Sequence, residues 1–378
     1  MKTKRAVGLY VHLPFCHKKC SYCDFYSVNF YAYAEDYIDA LLKEATYYRD
    51  LGYDFEIDTV YFGGGTPSSL NPIQLTRLIS GLFDLLKPSV NAEITLEANP
   101  ATLDREKLEV LKACGVSRMS MGVQSANNAE LRALSRRHSF DDFLATYRLA
   151  SEYFDNISLD LMFGLPDQTL ASFENTLQET LSLSPKHISL YALKVEENTP
   201  FGRMGDALVL PDEDAVAEMY LLANRLLTEH GFEQYEISNY ARQGCCSKHN
   251  LRYWQGKEYI GLGAAAHSYF DGVRYANSSD ILSFIERMMQ GKLPMRSEEY
   301  RLTNGDRLEE AIILPLRLTA GLDLAKLQAD FGYDLYGENR EKIDSYIRDG
   351  FMQRDEQRIS FTPRGFLVSN TILSELLP

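Results

Sequence analysis

Leu9-Tyr10-Val11-His12-Leu13-Pro14-Phe15-Cys16-His17-Lys18-Lys19-Cys20-Ser21-Tyr22-Cys23 joins an apolar run to a loop that carries three cysteines. Val7 to Leu13 reads as a strand stopped by Pro14. Three thiolates in one loop can bind three corners of a cubane iron–sulfur cluster, leaving the fourth iron open to a further ligand. Zinc is the alternative, but it would usually recruit a fourth Cys or His in C-x2-C pairs. His17, adjacent to Cys16, is badly placed to close a tetrahedron. A disulfide is the third reading, and it suits an oxidising compartment rather than this chain.

Working outward, β-type and amphipathic runs alternate. Strands are expected at Asp58 to Phe62, Glu93 to Leu96, Ser117 to Met121, Ile157 to Met162 and His187 to Tyr191. Helices are expected at Tyr33 to Leu51, Pro72 to Leu86 (capped by Asn71), Asp104 to Ala113, Phe140 to Tyr153 and Leu170 to Leu183. About six strand–helix pairs argue for a parallel α/β sheet. Cys16, Gly63, Glu97, Gln124 and Asp160 all fall at or just after a strand. In barrel-type folds that end carries the active site, so a partial (β/α)6 TIM-like barrel fits better than a doubly wound sheet.

After Tyr191 the alternation weakens. Asp212 to His230 is a clear helix, Phe232 to Lys257 is aromatic and irregular, and Gly261 to Ala266 is rich in small residues. The polar, Pro-containing stretch Lys292 to Glu299 reads as a linker. We therefore expect a domain over 1–295 and a small, mainly helical C-terminal domain over 296–378, with two short strands around Arg354 to Arg358.

The 378 residues are 45% hydrophobic and 24% charged, the balance of a soluble globular protein. Six cysteines and no recognisable secretory signal suggest thiol or metal chemistry in a reducing, cytoplasmic setting. No stretch approaches the length of a membrane span. A net charge of −14 argues against a nucleic-acid partner, which calls for a basic face.

The C-x3-C-x2-C loop with an aromatic before its last cysteine resembles the signature of the radical S-adenosylmethionine (SAM) superfamily. Gly63-Gly64-Gly65-Thr66-Pro67, after a strand, is similar to its glycine-rich SAM motif. That resemblance implies a [4Fe-4S] cluster on Cys16, Cys20 and Cys23, a bound SAM, and the superfamily's partial barrel. Tyr10 to Cys16, Leu96 to Pro100, Met121 to Ser125 and Leu159 to Pro166 resemble the oxygen-independent coproporphyrinogen III oxidase family, over Leu9 to about Asn277. In that family two SAM molecules bind. Position by position, the resemblance assigns Tyr10, Gly64 and Glu97 to the first. It assigns Gly65, Thr66, Gln124, Arg137 and Asp160 to the second, with Ala192 and His267 nearby. Read alone, Glu97 and Asp160 are also compatible with buried strand-end carboxylates. Arg137, beside Arg136, could shift by one.

Two departures stand against the oxidase. Phe25 occupies the position of a further cysteine, and the chain reaches Tyr10 with almost nothing ahead of it. In their place His249-Asn250-Leu251-Arg252-Tyr253-Trp254 resembles the H-N-x-x-Y-W motif of HemW-type heme chaperones. That resemblance implies heme as a ligand, with His249 as its candidate contact, and transfer to acceptor proteins such as membrane respiratory components. An electron donor and a homodimer belong to the same expectation. The bland alternative is a packed aromatic turn. Cys245 and Cys246 precede the motif and Cys114 lies in an apparent helix; structural roles suit all three. Tyr300 to Pro378 resembles a winged-helix-like module. It holds more acidic than basic side chains, 13 against 10, so a covering or docking role fits it better than DNA reading.

Overall fold

The computed structural model describes residues 5–52 and 54–378. Six parallel strands form its centre: β1 (Arg5–Leu13), β2 (Phe55–Gly64), β3 (Glu93–Ala98), β4 (Arg118–Gln124), β5 (Ile157–Phe163) and β6 (His187–Ala192). Each pairs with the next in chain order. A doubly wound sheet would reverse its order at a switch point; this one never does, so it is a partial (β/α)6 barrel. Helices α1 (Ala34–Asp50), α2 (Pro72–Leu86), α3 (Arg105–Ala113), α4 (Asn128–Ala133), α5 (Phe140–Ser151), α6 (Leu170–Ser182) and α7 (Glu213–Glu229) accompany the strands. Asn71 caps α2 in a reciprocal capping box with Gln74.

The strands alternate in a way that fixes what the barrel can do. Val7, Leu9, Val11 and Leu13, Val60 and Phe62, Met119 and Met121, and Leu159 and Leu161 are buried in the apolar core with the helices. The other face is polar: Tyr10 and His12, Thr59 and Tyr61, Thr95 and Glu97, Arg118 and Ser120, Ser158 and Asp160, His187 and Ser189. Buried polar groups need partners, so the interior requires either ligands or a plug.

The plug comes from the tract read as irregular. Phe232 to Lys257 contains β7 (Glu233–Gln234), β8 (Asn239–Ala241) and the short helix α8 (Lys248–Trp254). Helix α8 lies against the polar face. Glu93 accepts the backbone N–H groups of Lys248 at 2.8 Å and His249 at 3.2 Å, closing the helix N-terminus. Thr59 Oγ1 meets His249 Nδ1 at 2.9 Å. Arg252 pairs with Asp58 and crosses Gly8, where a Cβ would stand 2.5 Å from its Cδ. Glycine at that position makes room for the guanidinium stem.

Strands β9 (Tyr259–Leu262), β10 (His267–Phe270), β11 (Val273–Asn277) and β12 (Arg296–Arg301) extend the sheet beyond β1, with helix α9 (Ile281–Met289) between the last two. The stretch read as a linker therefore supplies most of an edge strand, β12. Its side chains are largely exposed; its backbone pairs with β11, and Arg296 lies over the Tyr275 ring at 3.9 Å. Beyond it lie α10 (Asn304–Ile313), β13 (Leu322–Asp323), α11 (Leu324–Phe331), α12 (Leu335–Glu338), α13 (Arg340–Arg348), β14 (Met352–Arg354), β15 (Arg358–Phe361), α14 (Pro363–Leu367) and α15 (Ser369–Leu376). These elements form a mainly helical C-terminal region with a small antiparallel sheet, β13-β15-β14, of three short strands where two were expected.

Glu93 ties α8 to the barrel, so Glu93→Ala should lower stability by about 1–3 kcal/mol, the usual result of orphaning buried donors. Urea denaturation measures this; an unchanged midpoint would mean that α8 does not depend on Glu93.

Candidate active site

Phe15 anchors the cysteine loop. It is fully buried against Tyr31 and Tyr37. Val28 donates to the Pro14 carbonyl at 2.7 Å, and Cys16 donates to the Val28 carbonyl at 2.9 Å, so the loop is pinched at its base. Tyr22 packs with Leu134, Met162, Leu165 and Phe201 in a second apolar cluster. Ser21 hydrogen-bonds Ser135, its Oγ at 2.7 Å from the other. Between these anchors Cys16, Cys20 and Cys23 line one cavity of about 560 Å³ at the C-terminal end of the strands. Among the described residues, no three His, Cys, Asp or Glu side chains converge on a single metal ion. A cubane spreads three thiolates over three irons and needs no such convergence.

The glycine motif is the second wall. Gly65 donates to the Leu13 carbonyl at 2.8 Å and Thr66 to the Phe15 carbonyl at 2.8 Å, continuing the β1–β2 pairing past the strand ends. Gly64 has φ +113°, and a Cβ there would stand 2.6 Å from the His12 ring. One on Gly65 would strike the Pro14–Phe15 backbone at 2.7 Å. Glycine is therefore required by close approach, beyond any flexibility. Thr66 Oγ1 points at Cys16 Sγ, 3.6 Å away.

The carboxylates sit deeper. Tyr61 donates to Glu97 at 2.8 Å and Gly64 N–H at 3.2 Å. Burial, then the nearby Asp160 charge, push Glu97 up to about 7 despite those donors. Ser120 donates to both oxygens of Asp160, at 2.9 and 3.0 Å, while burial raises its carboxyl too. Gln124 ends β4 with φ +71°, a left-handed backbone unusual for its residue type, beside a bulge.

Gly64, Gly65, Thr66, Glu97, Gln124, Asp160 and Ala192 thus share the cavity with the three cysteines. Others do not. Tyr10 lies behind Tyr61, stacked at 6.2 Å, with its hydroxyl on His12 Nδ1 at 3.1 Å. His267 is exposed on β10. Arg137 is exposed, and it is Arg136 that lines the cavity, donating to the Gly122 carbonyl at 2.6 Å and to Cys20 Sγ at 3.8 Å. Ser135, at φ +61°, turns the chain between helix α4 and this pair. Of the adjacent pair, Arg136 is thus the cavity residue.

His249 departs further from expectation. It is 1% exposed. Its Nδ1 is engaged by Thr59 and its Nε2 by the Tyr253 hydroxyl at 2.8 Å. Burial, then the nearby guanidinium groups, lower it to about 3, so it is a neutral imidazole with both nitrogens occupied. In this conformation it has no lone pair to offer an iron. Its neighbours are better placed: Asn250 lines the cysteine cavity, and Trp254 lines a separate groove of about 720 Å³ between the sheet edge and the C-terminal domain. Phe25 stands 70% exposed at the cavity rim. Reading the sequence missed Tyr61, Arg118, Ser120, Ser189 and Tyr191 as cavity residues. The period-two spacing of most of them within strands was the available signal.

The radical SAM superfamily pattern matches residues 10–180 and the HemN C-terminal domain pattern matches residues 302–368. The chain is 36% identical to heme chaperone HemW of Bacillus subtilis over 373 residues, 97% of this chain and 98% of that one. It is 34% identical to heme chaperone HemW of Escherichia coli over 383 residues, 98% of each. The structure of coproporphyrinogen III oxidase (HemN) from Escherichia coli, a radical SAM enzyme, superposes with a TM-score of 0.86 at 26% identity, covering 99% of this chain and 90% of that one.

The placement of the two arginines is testable by SAM binding to anaerobically reconstituted protein. Arg136→Met should weaken binding tenfold or more, about the effect of losing one charge-assisted contact. Arg137→Met should leave it unchanged. The reverse result would restore Arg137 to the site.

Proposed function

The chain belongs to the HemW family of radical SAM proteins, and from that premise we propose that it is a heme chaperone, binding heme and passing it to acceptor proteins. The family brings with it a [4Fe-4S] cluster and SAM. The donor set fits both. Cys16, Cys20 and Cys23 would hold three corners of the cluster, which supplies one open iron and a low-potential electron when bound. Arg136 sets a positive charge beside the Cys20 sulfur, a contact that tunes such clusters. Thr66 does the same, uncharged, at Cys16. Gly64, Gly65 and Thr66 would offer backbone to SAM at close range. Glu97, Asp160 and Gln124 would accept or donate to its polar groups.

The observation that carries the chaperone reading is the position of α8. The H-N-x-x-Y-W helix walls both spaces, through Asn250 toward the cysteines and through Trp254 toward the groove. Heme suits the groove. Trp254 and Phe331 offer ring faces, Leu314 and Pro315 apolar contact, and Arg301 and Arg307 cations for two propionates. His249 then acts as the buried strut that fixes this wall. The oxidase shares the architecture, yet the chain is more similar to the chaperones, 36% against 26% identical. No helix among the described residues is long and apolar enough to cross a membrane. Delivery to membrane respiratory components would therefore proceed by docking, and we include an electron donor and a homodimer in the proposal.

Heme titration followed at the Soret band tests this. The wild type should bind saturably; failure to do so removes the chaperone reading. Trp254→Ala and Arg307→Glu should each weaken binding roughly tenfold, near the loss expected for one anchoring contact. His249→Gln, which keeps a hydrogen-bonding side chain, should leave the Soret maximum in place. A displaced maximum with an unchanged melting temperature would return the imidazole to the iron. Substantial protoporphyrinogen formed anaerobically from coproporphyrinogen III, SAM and reductant would favour the oxidase instead.

A further inference from the structure

The floor of the cysteine cavity holds a cation without a partner. Arg118 opens β4, is 1% exposed, and lines the cavity. Its Nε has no hydrogen-bond partner. Among the described residues, no hydrogen bond or ion pair engages the rest of its guanidinium. A buried guanidinium is ordinarily kept by a direct carboxylate contact. Here the carboxylates surround it at a distance. Glu93 and Glu97 of β3 and Asp160 of β5 all feel its charge, as do His187 of β6, His249 of α8 and the hydroxyls of Tyr61 and Tyr235. Burial lowers both histidines far enough to keep them neutral. Among these floor groups Arg118 is therefore the permanent cation.

Distance matters here. A direct salt bridge would occupy the carboxylate lone pairs that a ligand needs. Glu97 already accepts from Tyr61 and Gly64, and Asp160 from Ser120. A cation that acts through the low-dielectric interior takes none of the remaining acceptor positions. Without it the repulsion between the two carboxylates would favour protonating one of them, which would turn from acceptor to donor.

We propose that Arg118 is the positioning residue of this cavity: standing beneath Glu97 and Asp160 without a direct ion pair to either, it biases both carboxyls toward the charged form and leaves them open to the hydroxyl and ammonium donors of a bound ligand. With SAM as that ligand the inference rests on the reading above, but its action on the carboxylates can be measured without SAM.

The experiment compares wild type, Arg118→Met and Arg118→Lys as full-length chains labelled with 13C at the glutamate carboxyl. Glu97→Gln assigns the resonance. The Glu97 midpoint, about 7 in the wild type, should rise in Arg118→Met by about one pH unit or more, a tenfold change in proton affinity. Arg118→Lys, which keeps the charge, should restore it. An unmoved midpoint in Arg118→Met overturns the proposal. SAM affinity at neutral pH should fall in Arg118→Met and recover as pH rises, because the accepting carboxylate reappears above its raised midpoint. A shifted midpoint in a chain whose wild type binds no SAM upholds Arg118's action and removes the SAM reading. Where Arg118→Met does not fold, Arg118→Lys decides alone: SAM binding lost at every pH, with a wild-type Glu97 midpoint, would make Arg118 a direct contact and overturn the proposal.

Discussion

A parallel sheet that stops short of closure leaves its inner face open, and an inner face lined with polar side chains must be satisfied from somewhere. The bond between Glu93 and the N-terminus of α8 answers that demand. It brings a short helix into the barrel from a segment far along the chain. His249, Arg252 and Tyr253 then cover the lower part of the polar face, while the upper part stays open as the cysteine cavity. A closed barrel with an apolar interior would have no need of α8 and no room for a ligand. The polar alternation of the strands and the plug are one solution with two halves.

The cysteine loop depends on the same geometry. Its base is stitched to β1 and β2 by backbone bonds from Val28, Gly65 and Thr66. Gly64 and Gly65 let the two strand ends approach until no Cβ fits between them. The three thiols consequently face a wall that is largely backbone, where a ligand meets peptide groups before side chains. Deeper in the cavity lie the Glu97 and Asp160 carboxyls, both raised by burial, and the buried Arg118 guanidinium. Backbone recognition above and charge below make the cavity suited to a ligand with a polar head and several hydroxyls.

Much of this was legible in the residue order. The cysteine spacing, the glycine run and the Asn71 cap are local features, and local features survive into the fold unchanged. The outward residues of the strands are strongly apolar, so the strands announced themselves to within a few residues. Their inward partners did not. Arg118-x-Ser120-x-Gly122 and His187-x-Ser189-x-Tyr191 are period-two polar rows, visible only when a strand is split into its two faces. Helix α8 has seven residues, too few for a helical period to show. Strand β12 is mostly exposed and held chiefly by backbone bonds, so its composition reads as a linker. Arg136 and Arg137 are adjacent and chemically alike. A left-handed Ser135 decides which one turns inward, and single backbone angles leave no trace in composition.

The placement of α8 also bears on why heme handling and a radical SAM cavity would share one chain. His249 stacks on Tyr61 at 5.3 Å, and Tyr61 donates to Glu97. On its other side His249 meets Tyr253, one residue from Trp254 at the groove. Every link in this series is a ring contact or a hydrogen bond, and closely packed rings do not shift independently of their neighbours. A ligand that displaces Glu97 must therefore strain Tyr61 and the imidazole behind it. That strain reaches the groove wall within two side chains, because α8 has no loop in which to absorb it. Two separate cavities joined by a flexible segment could be filled independently. Two cavities sharing a short helix as their common wall are placed to influence one another, and under the proposed function that shared wall would link the cluster to the heme.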